Sequence, residues 1–261
     1  MQKNYRLLRL LEMDSIISVK NIYKEFGTEV KTTVLKGITL NFQRNVFTAL
    51  IGPSGSGKTT FLNIISLLEP PTSGELVIDG IDFSKVNVNA SSKFRNENFG
   101  FVFQFHYLLP EFTVYENILM PFWIGEIKIT DKLLKNVENL MKRMDIWKIK
   151  DKYPSQISGG QQQRTSIARA LVKNPKVIFA DEPTGNLDKE TGNVVLDIML
   201  EMIREFGTTL VMVTHDREVA LRAERVIELV DGKICKSFLI KEEGLERAKK
   251  ILEDRTCTLG E

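Results

Sequence analysis

The sequence predicts an α/β fold: a mixed, mostly parallel sheet, preceded by an antiparallel β subdomain and interrupted by an α-helical insertion. Three observations carry this. A strand-like run, Phe47-Thr48-Ala49-Leu50-Ile51, leads through a glycine-rich turn into an apolar helix, Thr60 to Leu68. Two later runs, Val177-Ile178-Phe179-Ala180 and Leu210-Val211-Met212-Val213, are apolar on both faces, as central parallel strands are. Between them and the first strand, roughly Ser91 to Lys173, the pattern is helical with expected breaks at Pro110, Pro121 and Pro154.

At 261 residues and 43% hydrophobic, the chain can bury a core for one large domain with a subdomain. The first stretch, Met1 to Met13, has an apolar cluster around Arg6 and Arg9 but no signal-peptide architecture; it reads as a frayed extension, with Met13 as an alternative start. Short strand-like segments from Ile16 to Val46 form the antiparallel part, and the Thr72-Ser73-Gly74-Glu75 cue introduces a further strand, Leu76 to Ile78, ended by Asp79-Gly80. A hairpin from Val226 turns at Asp231-Gly232. The domain proper spans 16–240, with the helical subdomain at about 91–173, an extension at 1–15 and a charged tail at 241–261 in which Leu245, Ala248 and Leu252 share a helical face.

The formal charge of +2 is that of neither a polycation nor an acidic tail, so nothing in it points to nucleic acid. Cys235 and Cys257 are too few for a disulfide framework or a structural zinc site, and a reducing cytoplasm is the simpler home. No apolar run is long enough to span a bilayer, so a membrane role must come through a partner.

The glycine-rich turn, Gly52-Pro53-Ser54-Gly55-Ser56-Gly57-Lys58-Thr59, fits the phosphate-loop pattern G-x-x-x-x-G-K-[ST] and sits between strand and helix as that pattern requires. Its glycines let successive N–H groups face inward, and the helix start adds a positive end, so the loop is a nest for anionic phosphates. Lys58 supplies a mobile charge and Thr59 a magnesium-ligating hydroxyl. The core is therefore expected to be of the P-loop NTPase type. Hydrolysing a phosphoanhydride also needs a carboxylate for the cation and a group to activate water. Asp181 and Glu182, ending one buried strand, supply both: strand alternation is expected to point them apart, Asp181 to magnesium and Glu182 to water. Thr214-His215 ends the other, and both sets are expected to aim toward the phosphate loop.

Ile157-Ser158-Gly159-Gly160-Gln161-Gln162-Gln163-Arg164 resembles the signature motif of the ATP-binding cassette ATPases, which pair it with a phosphate loop. The resemblance covers about Ile16 to Ile234. It implies ATP and Mg2+ as ligands, with Gly52 to Thr59, Thr60, Phe26 and Gln104 on the nucleotide. Thr59, Gln104 and Asp181 would hold the metal, and Glu182 and His215 would be catalytic. It implies a head-to-tail, ATP-dependent pair of copies, with Ser158, Gly159, Gly160 and Gln161 of one capping ATP on the other and Asp188 in an inter-subunit loop. Phe26 stands where the family stacks a tyrosine on adenine, with Tyr23 as the alternative. Glu182 to Asp188 and Gly100 to Gln104 are similar to the branch serving lipoprotein release, macrolide-type export and cell division. That implies an ATPase subunit on the inner face of the cell membrane beneath an integral membrane permease subunit, powering transport or, alternatively, transmitting a mechanical signal. The stretch around Gln104 and Phe112 to Trp123 is expected to line a groove for a helix of that partner.

Overall fold

The computed structural model describes residues 15–85, 90–254 and 256–257. The reading of Met1 to Met13 therefore lies outside the described residues. The chain divides into two compact units, one formed by the segments up to Ser91 and from Val211 on, the other by Ser92–Leu210.

The first unit opens with β1 (Ser15–Phe26) and β2 (Thr32–Gln43), antiparallel, with Val19 opposite Leu40 and Phe26 opposite Thr32. β3 (Phe47–Ile51) is buried throughout and runs into α1 (Lys58–Ile65). β4 (Ser73–Ile78) pairs with the other side of β1, and β5 (Ile81–Asp82) folds back on β4. Ile17, Val19, Ile22, Ile38, Leu40, Phe42, Leu76 and Ile78 are all buried, so the antiparallel sheet closes on an aliphatic core. Asp79 and Gly80 both take positive φ, 50° and 78°, the twist that a tight hairpin demands.

The second unit begins with α2 (Ser92–Asn98) and β6 (Phe99–Phe103), so the stretch read as helical also contains a strand. α3 (Val114–Ile124) starts at a capping box in which Thr113 and Glu116 satisfy each other's backbone N–H groups. Pro121 lies inside α3 and does not break it. It stands within a turn of the helix end, where Gly125 closes the chain, so the missing N–H removes one bond and little helix remains to be disrupted. α4 (Asp131–Arg143) follows, then two single 3₁₀ turns, Trp147–Ile149 and Pro154–Gln156, and α5 (Gly159–Leu171). β7 (Val177–Asp181) lies parallel to β6, with Phe103 opposite Asp181. α6 (Lys189–Phe206) ends at Gly207 in the left-handed conformation, φ 60°. The division between the units falls inside β8 (Thr209–Val213).

Gly100 on β6 shows how closely this unit is packed: a Cβ there would lie 2.5 Å from the carbonyl oxygen of Ala170 and 3.1 Å from Ile178 Cγ1. Backbone cannot yield as a side-chain tip can, so Gly100→Ala is expected to cost about 1–3 kcal/mol through overpacking. A denaturant midpoint equal to the parent's would refute that assignment.

The chain then returns to the first unit with α7 (Arg217–Ala220) and a hairpin of β9 (Arg225–Val230) and β10 (Lys233–Leu239) turning at Asp231-Gly232. β9 is parallel to β3, Thr48 opposite Arg225. The tail forms α8 (Ile240–Glu243) and α9 (Leu245–Glu253); Ala248 and Leu252 are buried, whereas Leu245 is exposed. Cys235 and Cys257 form a disulfide, against the expectation of two unconnected thiols. Their separation of 22 positions gave no clue, because only the return of α9 toward β10 brings the two ends together.

Candidate nucleotide site and its catalytic loops

The phosphate loop turns on three glycines with positive φ: Gly52 at 145°, Gly55 at 76° and Gly57 at 99°. At Gly52 a Cβ would meet the Leu229 carbonyl oxygen at 2.0 Å, which excludes any other residue; at Gly57 the nearest atom, Leu35 Cδ2 at 2.8 Å, is a side-chain tip, and the φ of 99° is what strains another residue there. Gly55 faces open space. Gly57 is the N-cap of α1 and provides no side-chain acceptor there, and a helix N-terminus is where an anion is favoured. Lys58 Nζ donates to the carbonyls of Gly52 at 2.9 Å and Pro53 at 2.8 Å, which holds the ammonium over the loop. The buried Ser56 hydroxyl is without a hydrogen-bond partner among the described residues.

Two further predicted residues belong to the same unit. Phe26, at the end of β1, is 41% exposed with Lys24 Nζ 4.9 Å from its ring centre, so it is no core aromatic. Tyr23 is equally exposed but its ring covers Gly37, where a Cβ would meet the Tyr23 hydroxyl at 2.9 Å. That leaves Phe26 as the ring with a freer face. His215 follows β8 and is exposed. Its position is set by its neighbours: Thr214 N–H donates to the Leu50 carbonyl at 3.2 Å, and Asp216 caps α7 through the N–H groups of Glu218 and Val219.

The carboxylates lie in the other unit. Asp181 is the last residue of β7, and Glu182 has left the strand with φ 47°, the left-handed region that a glutamate rarely occupies. The chain therefore turns just past the strand, and Glu182 is not placed by strand alternation. The β6–β7 register puts Phe103 opposite Asp181, so Gln104 and Glu182 leave the sheet at the same end. Gln104 Nε2 donates to Asn186 Oδ1 at 3.0 Å, and Asn186 Nδ2 returns a bond to the Gln104 carbonyl at 3.0 Å. Gly185 makes room for this clasp, since a Cβ there would lie 3.0 Å from Gln104 Nε2.

Ser158 is the N-cap of α5; its hydroxyl accepts from Gln161 N–H at 3.4 Å, while Gln161 Oε1 accepts from Ser158 N–H at 3.0 Å. Gly159 and Gly160 form the first turn, and Gly160 is packed against α6, where a Cβ would meet Thr191 Cγ2 at 2.6 Å. Asp188 is exposed and caps α6, accepting from Thr191 N–H at 2.9 Å. Those backbone donors hold its carboxyl below the usual aspartate range.

Beside β6 lies a cavity of about 400 Å³ lined by Phe99, Phe101, Phe103, Met120, Ile124 and Arg169 among others. Phe105, Tyr107, Trp123 and Ile124 are exposed, an unusual concentration of large apolar side chains. The expected groove stretch thus has two faces: Val114, Ile118, Leu119 and Phe122 are core, while Trp123 and Ile124 face outward.

Residues 35–185 match the family model described as ABC transporter. The chain belongs to the ABC transporter family. It is one of that family's ATPase cassettes, an α/β fold with an antiparallel β part and a parallel-rich part. It is similar to "Lipoprotein-releasing system ATP-binding protein LolD 1" of Rhodopseudomonas palustris, 44% identical over 226 residues, covering 87% of this chain and 98% of the relative. It is also similar to a LolD protein of Leptospira interrogans, 44% identical over 222 residues, covering 85% and 92%. Among solved structures it resembles the dimeric post-hydrolysis state of the cassette MJ0796 bound to ADP and Pi, with TM-score 0.78, 37% identity and 86% and 98% coverage. CbiO1 from Clostridium perfringens gives TM-score 0.79 at 29% identity, with 93% and 96% coverage.

In this cassette, two residues that tie the Gln104 and Glu182 loops together escaped sequence reasoning. Gln163 is wholly buried; its amide donates to the Pro183 carbonyl and to the Phe103 carbonyl at 3.4 Å. Asn186 is the other half of the Gln104 clasp. A glutamine in a polar helical run and an asparagine in a loop read as solvated, and only the residue immediately after Glu182, Pro183, hinted that this turn is fixed. His106, which sequence context assigned no role, is half-buried; burial and then the Arg169 charge push its pKa down, favouring a neutral ring.

Proposed function

We propose that this cassette is the ATP-hydrolysing subunit of a lipoprotein-releasing type of transporter. Two copies would act head to tail on the ATP-supplied face of the membrane beneath a separate membrane subunit. The observation that carries this is the 44% identity over 98% of a protein named for that system. Among the described residues no helix is long and apolar enough to cross a membrane, in keeping with an ATPase that borrows its membrane attachment. The relatives' name favours cargo release over a purely mechanical signalling role.

The chemistry follows from the side chains. Phe26 stacks on adenine, and the loop from Gly52 to Thr60 and Lys58 bind the phosphates. Glu182 accepts a proton from the attacking water as its oxygen bonds to the γ-phosphorus, with ADP leaving; His215 orients the water and the γ-phosphate. Ser158, Gly159, Gly160 and Gln161 offer a helix N-terminus to the γ-phosphate on the partner copy, with Asp188 at that interface. The Thr59 hydroxyl, the Asp181 carboxylate and the Gln104 amide are hard oxygen donors that suit Mg2+. Gln104 fits because its amide nitrogen is committed to Asn186, which leaves the carbonyl oxygen as the end that could ligate a cation. Held by these oxygens, Mg2+ would supply positive charge to offset that of the phosphates. ATP favours the closed pair because its γ-phosphate is held from both copies, and loss of phosphate removes that bias.

The aromatic cavity beside β6 is the proposed seat for a helix of the membrane subunit. Trp123→Glu and Ile124→Glu are expected to abolish transport coupling while the isolated cassette keeps its basal ATPase rate. Loss of basal activity together with the fold would instead make this surface a structural one. The wider reading is tested by purifying the tagged chain from its native membrane in mild detergent. A co-purifying integral membrane protein with a large extracytoplasmic region is expected, and its absence with soluble cargo proteins in its place would overturn the assignment.

A further inference from the structure

The chain's two cysteines sit in contrasting places. Cys235, on β10, is 2% exposed, whereas Cys257, after α9, is exposed. The segment between them is held a second time by the residue next to Cys235. Lys236 is 2% exposed, and its ammonium lies 3.1 Å from Glu228 and donates to the carbonyls of Ile251, at 2.9 Å, and Asp254. Two backbone carbonyls accept hydrogen bonds from the ammonium and the Glu228 carboxylate balances its charge, which is the pairing a lysine this deeply buried requires. Two of those acceptors are at the C-terminal end of α9, where a cation is favoured by unsatisfied carbonyls and by the helix dipole. Adjacent residues of one strand therefore grip the same helix, one by a covalent bond and one by charge, over the buried Ala248 and Leu252.

The helix is poorly equipped to stand alone. It has nine residues and no side-chain cap at its N-terminus, well short of the length at which isolated helices persist in water. Its docking depends on the grip from β10.

We propose that Cys235–Cys257 is a reversible thiol–disulfide site that latches the C-terminal helix, opened by a dithiol reductant attacking the exposed Cys257 sulfur. The incoming thiolate bonds to Cys257 Sγ, the S–S bond breaks, and Cys235 leaves as a thiolate that takes up a proton. The second thiol of the reductant, deprotonated, attacks its own sulfur in the mixed disulfide. Cys257 is released as a thiolate that is protonated in turn, and the reductant departs as a disulfide. The protein has gained two electrons and two protons. The opposite sulfur is sealed by burial, so attack is directed to one side. Once open, the helix is held by Lys236 and two apolar side chains alone and exchanges between docked and released forms. This rests on the function proposed above, which puts the cassette among cellular reductants, where disulfides are usually transient and catalytic or redox-sensing.

The test uses the full chain. Purified in air, denatured and treated with iodoacetamide, it is expected to carry no label, and two labels after dithiothreitol. Hydrogen–deuterium exchange is expected to quicken about tenfold or more across Leu245–Glu253 on reduction. Lys58–Ile65 should be unchanged, which separates release of the helix from general unfolding. Glutathione disulfide should restore the slow exchange. Cys257→Ser should exchange rapidly with or without dithiothreitol. Two labels on the air-purified chain, or equal exchange of the helix in both redox states, overturns the latch.

Discussion

Glu182→Gln is expected to keep ATP bound while lowering turnover by about two to four decades, the span a positioned general base contributes. Glutamine preserves length and hydrogen bonding but cannot accept the proton from water. The backbone argument strengthens the choice of replacement. Glu182 occupies φ 47°, and a flexible, unbranched side chain tolerates that conformation better than a β-branched one, so the variant should fold with the loop intact. Stalled before hydrolysis, the cassette should accumulate as an ATP-dependent pair of copies in size-exclusion chromatography. Turnover at the parent rate would remove Glu182 from the mechanism. A stalled variant that stays a single copy with Mg2+ and ATP would remove the head-to-tail pairing.

Lys58→Ala should act one step earlier. Its ammonium, held by the Gly52 and Pro53 carbonyls, is on the loop whose geometry three glycines enforce. Removing it leaves that geometry and deletes the charge. A hydrogen bond to a charged group is worth roughly 1.5–3 kcal/mol, so ATP affinity should fall about 10- to 100-fold. Adenosine, which carries no phosphate, should bind as weakly to the variant as to the parent. Titration calorimetry with both ligands separates the outcomes: unchanged ATP affinity would refute the assignment of Lys58, and a parallel loss for adenosine would point to a disrupted fold.

The sequence was most legible where chemistry demands a fixed run of residues. Gly52 to Thr59 could be placed between strand and helix because no residue but glycine takes the φ values at Gly52 and Gly57 without strain. The buried strands ending at Asp181 and Val213 were legible for a similar reason, being apolar on both faces. What was not legible depends on partners distant in sequence. Pro121 reads as a breaker until α3 is seen to end within a turn of it. Alternation was expected to set the directions of Asp181 and Glu182, but the strand ends at Asp181 and Glu182 takes a left-handed φ that no periodicity reports. Lys236 reads as a solvated strand lysine, yet it is buried because Glu228 and the end of α9 surround it. The site assignments themselves rest on motif order and family membership, which is why the two substitutions above carry the weight of testing them.

The amide of Gln163 ties Phe103 to Pro183, and the reciprocal bonds between Gln104 and Asn186 tie the same two loops a second time. Doubly riveted, these loops share their displacements. Phe103 is thus linked by hydrogen bonds to Pro183, the residue next to Glu182, a connection through which a displacement at one loop would reach the other.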